Sequence, residues 1–158
     1  MSRLPAILLV DDDDDYLFVA RRAIERTGLK AEVRVARAGE QGLRLLGLES
    51  REPPPDGASP FAVVLLDLRI QGMSGQDVLR RMQGCERTRL IPVVVVSSSD
   101  RPDEVRECYE LGANSYVVKR FMAAQPGAYV AEAARYWIEL NEPPPAAVAT
   151  GERPEPLI

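Results

Sequence analysis

Four apolar runs in this sequence each end in side chains that can bind a cation or a phosphoryl group. Asp67 follows one run, five aspartates follow another, Ser97 follows the third and Lys119 follows the fourth. The runs cover residues 6–10, 61–66, 91–96 and 115–118. Unbroken apolar runs of this length are typical of strands that are buried on both faces, as in a parallel sheet. Ligands of such sheets bind beyond the carboxyl ends of the strands, so we expect these polar groups to form one site.

Asp11, Asp12 and Asp67 would form a cluster of carboxylates at that edge of the sheet. Such a cluster repels itself unless a cation neutralises it. Oxygen ligands without His or Cys favour Mg²⁺, and the sequence contains no histidine at all. We predict that Asp12 and Asp67 bind Mg²⁺ directly and that Asp11 binds it through water. Taken alone, the aspartates at 11–15 would indicate only an acidic helix cap. The polar groups at the other three strand ends favour a site for a cation and a phosphoryl group.

Asp67 is a candidate nucleophile toward a phosphoryl group, since a carboxylate can form an aspartyl phosphate and, once ionised, needs no general base. Catalysis of phosphoryl transfer depends mainly on positioning and charge neutralisation. Lys119 would pair with one phosphoryl oxygen, and Ser97 would donate a hydrogen bond to another. Lys119 is unusual because only it and Lys30 are lysines among 20 basic residues. A lysine is a compact point charge, whereas an arginine is a planar fork.

Length, composition and charge limit the class of protein. A chain of 158 residues, 46% hydrophobic and 28% charged, is ordinary for one globular domain. The net charge of −4 argues against a nucleic-acid surface. Cys85 and Cys108 have no metal-binding spacing and indicate free thiols in a reducing compartment. We expect neither a membrane span nor a signal peptide, and therefore a cytoplasmic protein.

Predicted strands and helices alternate along the chain. We expect a further strand at 33–36 and helices at about 13–27, 39–48, 76–84, 100–112 and 126–140. This order predicts an α/β fold with a parallel sheet, right-handed crossovers and helices on both faces. Residues 49–60 contain three consecutive prolines and predict a long surface loop. We expect one domain at 1–141, followed by a disordered, proline- and alanine-rich tail at 142–158.

Four segments together resemble the receiver domain of two-component response regulators. They are Ile-Leu-Leu-Val-Asp11-Asp12, Leu-Leu-Asp67, Pro-Val-Val-Val-Val-Ser97 and Tyr116-Val-Val-Lys119. The resemblance covers about residues 6–140. It implies a doubly wound, flavodoxin-like sheet of five parallel strands in the order 2-1-3-4-5.

The same resemblance implies functional roles. Asp67 would accept a phosphoryl group from a histidine kinase, and the backbone carbonyl of Arg69 would be a further metal ligand. Ser97 and Tyr116 would rearrange together as a switch that exposes a new surface on the face of helix 4, strand 5 and helix 5. The chain would not be a conventional enzyme, since its chemistry would be limited to self-phosphotransfer and autodephosphorylation.

The long loop at 49–60 and the ending at 135–145 resemble single-domain regulators that work with phytochrome-type kinases. On the last predicted helix, Tyr129 and Tyr136 share one face, while Val130 and Trp137 share the neighbouring face. Core packing and a homodimer through the helix 4–strand 5–helix 5 face both account for this pattern. No partnership with nucleic acid or a membrane is expected.

Three positions depart from the family pattern. Arg120 follows Lys119 where the family has a proline, usually after a cis bond. We expect a trans bond here, because a cis bond before a non-proline residue costs roughly 2.5–4 kcal/mol. Gln71 replaces another proline and should loosen the loop after Asp67. The Arg69 side chain could reach the phosphoryl group or block water, so we expect it to tune the lifetime of the phosphorylated state.

Two other functions fit parts of the sequence. An atypical receiver, which binds partners without phosphorylation, would account for Gln71 and Arg120. A haloacid-dehalogenase-like phosphohydrolase would account for Asp11-x-Asp13 after a strand. Against it, a further acid stands where that family has threonine or valine, and Asp67 stands alone between leucines. Turnover of a generic phosphate ester would favour the hydrolase.

Overall fold

The computed structural model describes residues 4–49, 61–119 and 127–145. Within these ranges five strands alternate with five helices, as the sequence predicts. The strands are β1 (Ala6–Val10), β2 (Glu32–Ala36), β3 (Phe61–Leu66), β4 (Val93–Ser97) and β5 (Ser115–Val118). The helices are α1 (Asp14–Arg26), α2 (Gly39–Leu45), α3 (Gly75–Gln83), α4 (Pro102–Glu110) and α5 (Ala128–Arg135).

The five strands form one parallel sheet in the order β2-β1-β3-β4-β5. This is the doubly wound, flavodoxin-like order that the resemblance implies, and the prediction is confirmed. In the register of the sheet, Val10 lies beside Leu66, and Ser97 lies beside Val118. The residues that follow these strands are therefore brought to a common edge.

Apolar side chains alternate between the two faces of the sheet and build two cores. On β1, Leu8 points into the core that α2, α3 and α4 cover. Ile7 and Leu9 point into the core that α1 and α5 cover. Successive side chains of a strand face opposite sides, so a strand buried on both sides reads as a continuous apolar run. Helices thus cover both faces, as predicted.

Capping side chains fix the start of the two helices nearest the strand ends. The Asp13 carboxylate accepts hydrogen bonds from the backbone N–H groups of Asp15 and Tyr16 and so caps α1. The Ser74 hydroxyl accepts a hydrogen bond from the N–H of Asp77 and caps α3. Both caps lie in loops that leave the carboxyl edge of the sheet.

Among the elements that are shorter than predicted, α2 and β4 have a clear local cause. The structure ends α2 at Leu45 rather than near residue 48, because Gly47 adopts a φ of 76° and turns the chain out of the helix. It begins β4 at Val93 rather than residue 91, since Pro92 has no N–H to offer the sheet.

The last predicted helix is α-helical only in its first part. The α-helical part ends at Arg135, and Tyr136–Leu140 form a π-helical segment. The wider turn begins at Tyr136, so the residues that join Tyr129 to Tyr136 keep α-helical spacing. The hydroxyl of Tyr129 is buried, whereas the Tyr136 side chain is 48% exposed. Tyr136 instead packs edge-on against Trp137, with ring centroids 4.9 Å apart.

Several predictions fall outside the described residues. They are the loop at 50–60, the Lys119–Arg120 bond with residues 120–126, and the tail at 146–158. Residues 142–145 contain neither helix nor strand. Within the part of the chain that the structure describes, no helix is long and apolar enough to cross a membrane.

Candidate functional site

The three predicted acids lie together at the carboxyl edge of the sheet. Asp11 and Asp67 directly follow β1 and β3, whose last residues are neighbours in the sheet. Carboxylate oxygens of Asp11, Asp12 and Asp67 all lie within 4.8 Å of one another. Asp11 and Asp67 are buried, at 1% and 8% exposure, while Asp12 is exposed. The cluster therefore has two buried carboxylates and one that faces solvent.

Lys119 reaches this cluster from the end of β5. Its ammonium nitrogen lies 2.7 Å from Asp11 Oδ2 and 3.3 Å from Asp67 Oδ2. Burial opposes the charged form of the lysine, but the hydrogen bond to Asp11 and the charge of Asp67 outweigh it and raise the pKa of Lys119. One ammonium faces three carboxylates, so excess negative charge remains at this edge.

The environment of Asp67 disfavours its ionised form. Burial raises the pKa of the Asp67 carboxyl, and the nearby Asp11 carboxylate adds to this rise. Lys119 and the backbone N–H of Arg69, 3.4 Å from Asp67 Oδ1, act in the opposite direction. A cation bound at the cluster would favour the ionised carboxylate, which is the nucleophilic form.

The loop between β1 and α1 holds Asp11 in a defined position. The backbone N–H of Asp13 donates a hydrogen bond to Asp11 Oδ1 over 2.9 Å. Asp13 also caps α1, so the acid and the helix start belong to one hydrogen-bonded unit. The aspartate run thus provides both a helix cap and members of the cluster.

The two predicted switch residues share a backbone partner. Ser97 is buried at the end of β4, and its hydroxyl accepts a hydrogen bond from the N–H of Ser99 over 3.2 Å. The Tyr116 hydroxyl donates to the Ser99 carbonyl over 2.8 Å. Ser99 therefore links the strand end that carries Ser97 with the aromatic ring on β5.

The loop after Asp67 carries Arg69 and Gln71. The Arg69 side chain is 70% exposed, and its guanidinium lies 3.8 Å from Glu104 on α4. Gln71 forms an isolated parallel bridge with Ala38, the residue before α2. The bridge attaches the loop to the start of the neighbouring helix, and the looser loop expected from Gln71 stays a prediction.

The sequence analysis missed Tyr16 and Glu104 as members of this region. The Tyr16 ring centroid lies 4.2 Å from the ammonium of Lys119. One Glu104 carboxylate oxygen pairs with Arg69, and the other is buried without a hydrogen bond from the described residues. A signal for Tyr16 was available, since it is the aromatic residue that ends the aspartate run.

Comparison with known families decides the class of this domain. The response regulator receiver domain matches residues 7–130. The chain belongs to this family. The observed sheet has the strand order of the receiver fold.

Individual receiver proteins are similar over most of their length. The probable methanogenesis regulatory protein FilR2 of Methanothrix harundinacea (strain 6Ac) is 35% identical over 138 residues, covering 87% of this chain and 86% of FilR2. The phosphorylated cyanobacterial phytochrome response regulator RcpA is 26% identical, with a TM-score of 0.79 over 90% of this chain and 99% of RcpA. The bacteriophytochrome response regulator RtBRR is 39% identical, with a TM-score of 0.66 over 90% of this chain and 86% of RtBRR. The resemblance to phytochrome-associated regulators is thus confirmed.

A related structure contains a divalent cation. The Mn²⁺-bound form of the response regulator Rcp1 is 25% identical, with a TM-score of 0.76 over 89% of this chain and 99% of Rcp1. In this chain the donors are all oxygens, three carboxylates lie close together, and one lysine neutralises them only in part. That set fits a hard divalent cation such as Mg²⁺.

Proposed function

We propose that this chain is a single-domain response regulator that accepts a phosphoryl group on Asp67 from a histidine kinase. One observation carries the proposal. The ammonium of Lys119 lies 3.3 Å from Asp67 Oδ2, inside a group of three carboxylates whose oxygens lie within 4.8 Å of one another. A nucleophile, a fixed positive charge and an oxygen-rich cation site are therefore supplied by three different strand ends.

Phosphoryl transfer here would need little covalent assistance from the protein. An Asp67 carboxylate oxygen would attack phosphorus, the bond from phosphorus to the kinase histidine nitrogen would break, and that nitrogen would leave with its electron pair. Lys119 would pair with one phosphoryl oxygen from nearly its present position. Asp11, Asp12, Asp67 and the Arg69 carbonyl would hold Mg²⁺, which when bound neutralises charge on the phosphoryl oxygens.

The contacts of Ser99 suggest how phosphorylation of Asp67 would change the structure outside the site. If the Ser97 hydroxyl turns to donate a hydrogen bond to the phosphoryl group, the N–H of Ser99 must follow it or lose its acceptor. Movement of Ser99 withdraws the carbonyl that now accepts from Tyr116. Tyr116 would then be free to turn, and the face formed by α4, β5 and α5 would change.

That face is also our proposed docking surface for a second copy of the chain. The edge strand β5 is only partly buried along its whole length. Tyr109 on α4 and Tyr136 after α5 are 49% and 48% exposed. Light scattering with and without phosphorylation tests this proposal; a monomer under both conditions would contradict it.

The proposed partner is a histidine kinase of the phytochrome type, in line with the similarity to RcpA and RtBRR. We propose a cytoplasmic location, which suits the free thiols of Cys85 and Cys108. We propose no nucleic-acid or membrane partner. Phosphotransfer from a purified phytochrome-type kinase tests the pairing, with an unrelated histidine kinase as the control donor.

Intact mass after incubation with acetyl phosphate and Mg²⁺ tests the acceptor. We expect one phosphoryl adduct in the wild type and in Asp15→Asn, an exposed aspartate of the same run. We expect none in Asp67→Asn. An adduct that persists in Asp67→Asn would place the acceptor elsewhere. No adduct in the wild type would favour a receiver that binds partners without phosphorylation, and turnover of a generic phosphate ester would favour a hydrolase.

A further inference from the structure

The ring of Tyr16 forms one wall of the space that holds the Lys119 ammonium. Its centroid lies 4.2 Å from the ammonium nitrogen, within the range in which a ring face attracts a cation. Tyr16 is 5% exposed, so this contact is shielded from water. The ammonium is therefore surrounded by three groups, namely the carboxylates of Asp11 and Asp67 and the Tyr16 ring.

The position of Tyr16 is tied to the loop that carries the acids. Tyr16 lies in the first turn of α1, and its N–H donates a hydrogen bond to the Asp13 carboxylate over 3.2 Å. The N–H of Asp13 in turn donates to Asp11. The ring and one carboxylate partner of Lys119 thus belong to the same short hydrogen-bonded unit.

At its far end the Tyr16 ring meets α5. Burial and, after it, the neighbouring Tyr129 raise the pKa of the Tyr16 hydroxyl. Both hydroxyls are buried, and neither has a hydrogen-bond partner that satisfies normal geometry among the described residues. The two helices also approach closely further along α1, where a Cβ on Gly127 would lie 2.7 Å from the Cβ of Ala23. Tyr16 and Tyr129 pack in the same core. A shift of the Tyr16 ring would therefore be felt by Tyr129.

We propose that Tyr16 is a positioning residue for Lys119 and that its contact with Tyr129 couples the position of the lysine to α5. The inference rests on the proposed function, because it requires Lys119 to bind the phosphoryl group. The ring face retains the ammonium when a metal ion binds its carboxylate partners and the phosphoryl group occupies Asp67. Tyr16 and Tyr129 pack with the core beneath α1 and α5, whereas Tyr116 packs with the core on the other face of the sheet. The coupling therefore follows a route separate from Ser97 and Tyr116.

Nuclear magnetic resonance of the resting protein tests the contact without any phosphoryl chemistry. Labelled lysine gives two side-chain signals, from Lys30 and Lys119, and Lys30→Arg assigns them. We expect the ε-methylene protons of Lys119 to be shifted upfield by the ring in the wild type and in Tyr16→Phe, and to lose the shift in Tyr16→Leu. A Lys119 signal that is the same in Tyr16→Leu and the wild type would overturn the positioning role.

Titration with beryllofluoride and Mg²⁺, a mimic of the phosphoryl group, tests the coupling. Trp137, the one tryptophan of the chain, adjoins α5 and reports on it by fluorescence. We expect Tyr16→Leu to weaken beryllofluoride binding by about 2- to 30-fold, the range that cation–π energies imply. Tyr16→Phe should bind as the wild type does. Tyr129→Phe should keep the affinity and lose most of the Trp137 response, while the control Tyr109→Phe changes neither.

The outcomes separate this inference from the proposed function. A full Trp137 fluorescence response in Tyr129→Phe would overturn the coupling to α5. Unchanged affinity for beryllofluoride in Tyr16→Leu would show that the ring does not position Lys119 for the phosphoryl group. A wild type that binds no beryllofluoride would overturn the proposed function together with the coupling. If circular dichroism shows that Tyr16→Leu is unfolded, Tyr16→Met, whose unbranched and flexible side chain adapts to irregular space, takes its place.

Discussion

Gly75, the first residue of α3, lies directly against the backbone of Asp67. A Cβ added to Gly75 would collide with the Asp67 carbonyl oxygen and lie 2.7 Å from the Cα of Leu68. The N–H of Gly75 also donates a hydrogen bond to the Leu68 carbonyl over 2.9 Å. The start of α3 thus fixes the backbone that carries the proposed acceptor.

We predict that Gly75→Ala destabilises the fold and slows phosphorylation. Backbone atoms must move to admit the methyl group, at a cost of about 1–3 kcal/mol of unfolding free energy. Urea denaturation measures the loss, and the rate of adduct formation with acetyl phosphate measures the effect on Asp67. Gly84→Ala is the matched control at the other end of α3, since its Cβ would be 3.5 Å from the nearest atom. Equal effects of the two substitutions would contradict the prediction.

Magnesium should stabilise the folded chain. A cation that binds the cluster only in the folded state stabilises it by about 1.4 kcal/mol at ten times its Kd. For a domain of this size that corresponds to a rise in Tm of roughly 3–6 °C. Thermal unfolding with and without MgCl₂ measures the shift. Asp12→Asn should abolish it with little effect on the fold, because Asp12 is exposed, whereas a shift that survives in this variant would move the cation away from the cluster.

Arg69 should lengthen the life of the phosphorylated state. Its side chain is 70% exposed, and its guanidinium pairs at 3.8 Å with Glu104. We expect Arg69→Ala to dephosphorylate roughly threefold faster or more, a barrier change of about 0.7 kcal/mol. Glu104→Gln releases the guanidinium from its ion pair and should slow dephosphorylation. Unchanged decay of the labelled protein in Arg69→Ala would refute a role for this side chain.

The two cysteines should differ sharply in reactivity. Burial, followed by the charges of Glu107 and Glu104, raises the pKa of Cys108 to about 11. Burial also acts on Cys85, but the backbone N–H of Arg87 and the Thr88 hydroxyl outweigh it and lower the pKa of that thiol. The thiolate is the reactive form, so Cys85 should react with iodoacetamide at a lower pH than an ordinary thiol.

Mass spectrometry of the alkylated protein checks this difference. At neutral pH we expect one modified site in the wild type and in Cys108→Ser, and none in Cys85→Ser. In urea both cysteines should react, because the burial that protects Cys108 is then lost. Rapid modification of Cys108 in the folded protein would be inconsistent with the packing of α4.

Strand ends could be predicted from the sequence because their signals are local. The run at 61–66 is apolar on both faces, and a single acid follows it, so both the strand and the position of Asp67 could be inferred. Parallel topology then placed Asp11 and Lys119 near Asp67 without any knowledge of loops. The aspartate run likewise predicted an acidic cap at Asp13 or Asp14, and the structure shows that Asp13 is the capping residue.

Contacts between distant segments could not be predicted in the same way. The contact between Tyr16 and Lys119 depends on how α1 packs on the sheet, and neither segment has a hydrophobic periodicity that would predict it. The pairing of Arg69 with Glu104 joins a loop to a helix that begins beyond the next strand. The sequence predicted one helix to residue 140 and did not indicate that Tyr136–Leu140 would be π-helical.

The hydrogen bond between Lys119 and Asp11 joins residues 108 positions apart in the chain. Between them, the central strands β3 and β4 must already be paired before the lysine can reach the acids. A chain still emerging from the ribosome, or one with only part of its sheet formed, therefore has an acceptor without its ammonium. Acyl-phosphate formation would consequently serve as a folding assay, because it counts molecules in which β1, β3, β4 and β5 have assembled.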